Sequence, residues 1–193
     1  MITTLLRNKV VLALVIVALA QTGVLAGMVI DRTRLLKSGR EITLPIVPVD
    51  PRDIFKGEYV RLGYEAGNVP VRLLDGPPPR PNGAFYVVLE KKEGGAWQPV
   101  KMSRALPNET SPDRIVLKAR AMWGWPASGN ANATTRVRYG IESYFVAQGE
   151  GPRLEKLARD KKLAALVAVD SGGNAAIKGI VIDGQLQYEE PLF

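Results

Sequence analysis

Three carboxylates and two tyrosines crowd into the stretch Asp50-Pro51-Arg52-Asp53-Ile54-Phe55-Lys56-Gly57-Glu58-Tyr59-Val60-Arg61-Leu62-Gly63-Tyr64. Asp50, Asp53 and Glu58 carry the oxygen donors that a hard cation such as calcium accepts, but their spacing is not that of an EF-hand loop. Asp50-Pro51-Arg52-Asp53 also has turn chemistry, because aspartate caps turns and proline presets the backbone. Turn formation is therefore the first reading, and neither a metal nor any other cofactor is assigned. A second polar-aromatic group, Tyr139, Glu142 and Tyr144, lies far along the chain. Should the two groups border one cleft, Glu58 and Glu142 would form an acid and base pair. Ser171 and Lys178 invite a Ser–Lys dyad, yet Ser171 reads as a turn residue within Asp170-Ser171-Gly172-Gly173-Asn174. The chain has no histidine and no cysteine, which excludes Ser-His-Asp and Cys-His catalysis, thiol chemistry and disulfides. No residue is assigned a catalytic role.

The elements that must position these side chains are mostly strands. Pro45, Pro48 and Pro51 exclude helix before the acidic stretch. Glu58–Tyr64 then alternates, with Val60, Leu62 and Tyr64 on one face and Tyr59, Arg61 and Gly63 on the other. Val69–Leu74 reads as a short strand followed by a proline-rich loop. Ala84–Lys92 and Ala96–Arg104 read as a hairpin across Glu93-Gly94-Gly95. Arg114–Met122 alternates and ends at Trp123-Gly124-Trp125-Pro126, whose indoles suit a core edge, a binding surface or a membrane interface. Thr134–Ile141 is a further strand, burying Val137, Tyr139 and Ile141 while Arg136 and Arg138 face out. Pro152–Lys161 is the soluble helix, with proline in its first turn and Leu154, Leu157 and Ala158 as an apolar stripe. Leu163–Asp170 and Ala175–Ile182 form a hairpin, and Asp183-Gly184 turns into a last strand near Leu186–Tyr188. Eight or nine strands and one helix predict a mainly β (α+β) chain, an antiparallel β sandwich or open barrel with one short helix in its C-terminal half.

Ahead of this domain, Val10–Ile30 carries no charge. At about 1.5 Å per residue that run is roughly 31 Å long, enough to cross a hydrocarbon core. A cleaved signal peptide is the rival, since Val24-Leu25-Ala26 resembles a cleavage site, but the apolar run continues through Met28-Val29-Ile30. The domain organisation expected is an anchor over 1–30, a connector over 31–48 and a β-rich domain over 49–193. The formal charge is +7, with the basic residues scattered, which argues for solubility or weak attraction to anionic lipid and gives no nucleic-acid partner. A short basic N-terminus before one early span favours a cytoplasmic N-terminus and an extracytoplasmic domain.

Gly57-Glu58-Tyr59-Val60-Arg61-Leu62-Gly63-Tyr64 resembles the motif of the GDYXXLXY family of bacterial membrane-anchored proteins. Gly57, Tyr59, Leu62 and Tyr64 match, and Glu58 stands where the family has aspartate, keeping the charge on a longer arm. Tyr139–Val146 and Val167–Asp170 are also similar to family segments. The resemblance implies a single-pass anchor in the inner (cytoplasmic) membrane, a periplasmic β-rich domain and a multi-span membrane protein as neighbour; it implies no activity. Asp50, Asp53, Gly57, Glu58, Tyr59, Arg61, Leu62, Tyr64, Tyr139 and Glu142 are the candidate motif and partner-binding residues. The expected function is that of a non-enzymatic accessory protein. The alternatives are an envelope hydrolase using carboxylate and tyrosine groups, discriminated by a cleft joining Glu58 or Asp53 to Glu142, and a small-ligand or lipid-binding module, which needs a sizeable apolar cavity. Type I signal peptidases share the layout of anchor and extended segment, but they need a serine where Asp50-Pro51 stands.

Overall fold

The computed structural model describes residues 2–48, 59–79, 83–122, 133–146 and 149–189. The chain divides into two compact units, Met1–Arg34 and Leu35–Phe193. Helix α1 runs over Ile2–Ser38. Its stretch Lys9–Lys37 is 29 residues long, reaches a mean hydropathy of 2.4 and buries none of its most apolar window, so it is long and apolar enough to cross a membrane. The helix ends at Gly39, whose N–H donates to Leu35 O at 3.0 Å. A Cβ on Gly39 would lie 2.6 Å from Leu35 O and 2.9 Å from Val169 N, so only glycine fits where helix gives way to strand.

The second unit is built from antiparallel sheets that do not close into a barrel. Its strands are β1 (Arg40–Val47), β2 (Tyr59–Arg61), β3 (Gly63–Tyr64), β4 (Asn68–Pro70), β5 (Ala84–Lys91), β6 (Trp97–Ser103), β7 (Arg114–Ala121), β8 (Thr134–Arg138), β9 (Ser143–Phe145), β10 (Leu163–Val169), β11 (Ala175–Ile182) and β12 (Gln185–Glu189). One five-stranded sheet has the order β12-β11-β10-β1-β3, the other β4-β8-β7-β5-β6, and β2 pairs with β9. A short helix, α2 (Gly151–Arg159), buries Leu154 and Ala158, and Pro152 occupies its first turn, where no N–H is required.

The two large sheets share one core. Ile42, Leu44, Ile46, Val167 and Ile180 come from the first, and Phe85, Val87, Leu89, Met102 and Leu117 from the second. Each of the largest of these side chains contributes about 1.5–3 kcal/mol through removal from water. Two polar clamps add to the apolar contact. The Arg40 guanidinium donates to the carbonyls of Arg114 at 2.7 Å, Pro112 at 2.5 Å and Ser111 at 3.4 Å, where β7 begins. The turn between β10 and β11 offers Gly173 O to the N–H of Lys118 at 2.7 Å. Gly173 has φ +79, and a Cβ there would sit 3.1 Å from Lys118 N, so glycine serves both the turn and the close approach.

Several elements depart from the sequence reading. Within the stretch 31–48, helix α1 continues to Ser38 and Arg40–Val47 is a full strand of the first sheet, with Ile42, Leu44 and Ile46 inward. Pro45 pairs with Ala164 of β10 but lies before the ladder with β3, which begins at Ile46, so it sits where β1 still has one open edge, the setting in which strands accept proline. Within the run read as one strand, Tyr59–Arg61 and Gly63–Tyr64 are two short strands that break at Leu62, and Val71–Leu73 is a 3-10 turn instead of strand. Among the described residues there are twelve strands against the eight or nine expected; besides the eight-residue β1, the additions are short pieces that carry too few residues for an alternating pattern.

Candidate functional site

The motif strand and the segment after β8 form one corner of the domain. Tyr59, Val60 and Arg61 pair with Phe145, Tyr144 and Ser143, and the Leu62 N–H donates to Glu142 O at 2.9 Å. The chain then changes partner, and Gly63 and Tyr64 pair with Val47 and Ile46 of β1. Two buried tyrosines lock this exchange reciprocally. The Tyr64 hydroxyl donates to Ile141 O at 2.7 Å, and the Tyr139 hydroxyl donates back to Ala66 O at 2.5 Å. Burial, and then the nearby Glu142 charge, push both phenols well above the ordinary tyrosine range, so both stay protonated donors.

Glu142 closes the turn that follows β8. Its Oε1 accepts from the Tyr139 N–H at 2.5 Å and its Oε2 from the Gly140 N–H at 3.0 Å, while Gly140 takes φ +85. Desolvation raises its pKa above the ordinary 4.5; the Tyr139 and Gly140 N–H groups and the Arg138 charge pull the other way and lose. Both carboxylate oxygens are therefore engaged by the backbone of the carboxylate's own turn.

A hollow of about 520 Å³ opens beside this corner. Its polar lining is Arg61, Asn68, Arg136, Arg138, Glu142 and Ser143. A second hollow of about 410 Å³ is lined by Lys118, Arg120, Asn174 and, again, Arg138 and Glu142. Arg136 Nε donates to Asn68 Oδ1 at 3.4 Å. Cations dominate the polar part of the lining of both hollows.

Of the candidates read from sequence, Asp50, Asp53, Gly57 and Glu58 lie outside the described residues, as do Trp123 and Trp125. A Glu58–Glu142 pair is thus half outside them. Tyr59 enters through its place in β2, Arg61 is exposed beside the larger hollow, and Leu62, Tyr64 and Tyr139 are buried members of the core. Lys178 Nζ is bound to Glu41 Oε1 at 2.7 Å, which raises its pKa and removes it from a dyad with Ser171. Among the described residues no group of three acidic side chains could hold a metal ion. Lys118, Arg120, Arg136 and Arg138 were readable only as outward-facing positions. Their gathering depends on strand register, which carries no local signal.

A family model described as "GDYXXLXY protein" matches residues 21–180. No curated protein and no solved structure matches the chain.

Proposed function

Because the chain belongs to the GDYXXLXY protein family, we propose that it is a non-enzymatic, membrane-anchored accessory protein whose β domain lies on the outer face of a bacterial inner membrane. There it binds a multi-span membrane protein through the corner around Arg61 and the motif strand. The observation that carries the reading is one apolar helix, Lys9–Lys37, running without a linker into the first strand of a β-rich domain. A further support is the chemistry of the corner: the hydroxyls of Tyr64 and Tyr139 and both carboxylate oxygens of Glu142 are bonded to backbone groups, where they shape a surface. Copurification after extraction in mild detergent tests it. A stable partner, lost when Arg61 is replaced by glutamate, is the expected result; recovery of the lone protein under several gentle conditions overturns it.

A further inference from the structure

Strand register places two arginines directly opposite one another. Arg120 of β7 and Arg138 of β8 are paired positions, and both are exposed. Directly opposed side chains on neighbouring antiparallel strands start about 4.5–5.5 Å apart at Cβ, and like charges placed so repel. Lys118 and Arg136, each two residues away along the same strands, are exposed as well. Among the described residues, none of these four cations forms an ion pair with a carboxylate. Glu142 is, among the described residues, the carboxylate that lines both hollows, and its two oxygens are already held by the N–H groups of Tyr139 and Gly140.

The repulsion is relieved if an anion lies between the guanidinium groups. Arginine suits that task, because its planar fork meets carboxylate or phosphate oxygens with two parallel hydrogen bonds. The place is also concave. Hollows of about 520 Å³ and 410 Å³ share Arg138 and Glu142 in their linings. Each falls within the roughly 300–1,000 Å³ typical of small-molecule sites, whereas a lipid surface or a protein partner is met by a flatter face. We propose that Arg120 and Arg138, with Arg136 beside them, bind a small soluble molecule through its phosphate or carboxylate group. Asn68, Ser143 and Asn174 supply neutral hydrogen-bonding groups around the hollows for the rest of that molecule. The larger hollow adjoins the Arg61 corner, but binding of a small anion and retention of a membrane partner are read by different experiments, so either can fail without the other.

The test is calorimetric titration of the full chain, held in phosphatidylcholine nanodiscs at low ionic strength, with inorganic phosphate and with citrate. Binding of at least one probe is expected, with Arg120→Gln and Arg138→Gln each weakening it about tenfold or more, the loss of one charge-assisted contact. Arg136→Gln should weaken it independently. Lys156→Gln, an exposed cation on α2, should leave it unchanged. Both opposed arginines are exposed, so their variants should keep a thermal midpoint equal to or above that of the parent. Failure of both probes to bind overturns the proposal, as does equal weakening by Lys156→Gln. Binding that appears only with phosphatidylglycerol in the disc assigns the site to a lipid headgroup and overturns it. Binding of a hexaglutamate peptide with no binding of citrate or phosphate does so in favour of an acidic protein segment.

Discussion

Tyr64 and Tyr139 act as paired fasteners, each hydroxyl answering a carbonyl on the other's segment. Replacing either with phenylalanine leaves Ile141 O or Ala66 O without its donor, at a cost of about 1–3 kcal/mol. A lowered thermal midpoint of the full chain in detergent, read by β-sheet circular dichroism, checks this. Glu142 makes stability fall with rising pH. Its folded pKa lies above 4.5, so its contribution is complete below that value and is lost as pH climbs through the raised one. Glu90 and Glu150 act oppositely and lower down. Hydrogen bonds from Lys92 and then Arg114 depress Glu90, and hydrogen bonds from Tyr188 and then Arg153 depress Glu150, so their contributions are lost as pH falls below 4.5. Glu142→Gln should flatten the decline above pH 4.5 and leave the acid limb untouched, as measured by urea midpoints across pH. The variant should also be less stable near pH 4, because one amide oxygen cannot accept from both Tyr139 and Gly140 N–H groups as two carboxyl oxygens do. At this scale the sequence conveyed strand faces well: Val60, Leu62 and Tyr64, all three buried, were legible as sharing one face. The opposed Arg120 and Arg138 were not, because each strand shows only that its own arginine points outward.

Strands joined by short turns were readable, and strands paired over long distances were not. Asp183-Gly184 marks the β11–β12 turn, with Asp183 at φ +48 and Gly184 at φ +82. Asp170 holds the β10–β11 turn by accepting from the N–H groups of Gly172 at 2.9 Å and Asn174 at 2.8 Å. Such signals are local. β1 pairs with β3, close by in the chain, and with β10, more distant, and Pro45 told only that the run is not helix, so its place in the sheet had no marker in the sequence. The last strand is held by a different constraint. A Cβ on Gly179 would lie 2.3 Å from Tyr188 O, so β12 can approach β11 only over glycine. Gly179→Ala should push β12 away at a cost of about 1–3 kcal/mol. It should also separate the Tyr188 hydroxyl from Glu150 and Arg153, which it contacts at 2.9 Å and 3.1 Å. Faster amide exchange confined to β11, β12 and the start of α2 would report the loss; unchanged exchange there would falsify this account of Gly179.

For the whole molecule, the division at Arg34 predicts that Leu35–Phe193, expressed without the preceding residues, folds as a soluble β domain. Dispersed amide resonances from that fragment check this; a collapsed spectrum counts against it. The chain contains no cysteine, so a single introduced thiol reports orientation unambiguously. Ser171→Cys, in an exposed turn, should react with a membrane-impermeant maleimide applied to intact spheroplasts if the domain faces outward. Protection until lysis would place it inside. The position of β1 also has a mechanical side. Helix α1 leads into β1 at Arg40, and the larger hollow includes Val47 and Pro48, at the other end of the same strand. A pull applied at Arg40 along the axis of β1 would therefore be carried by that strand's own ladder. Its paired positions with β10, from Arg40↔Val169 to Pro45↔Ala164, are loaded together in shear instead of being unzipped one at a time.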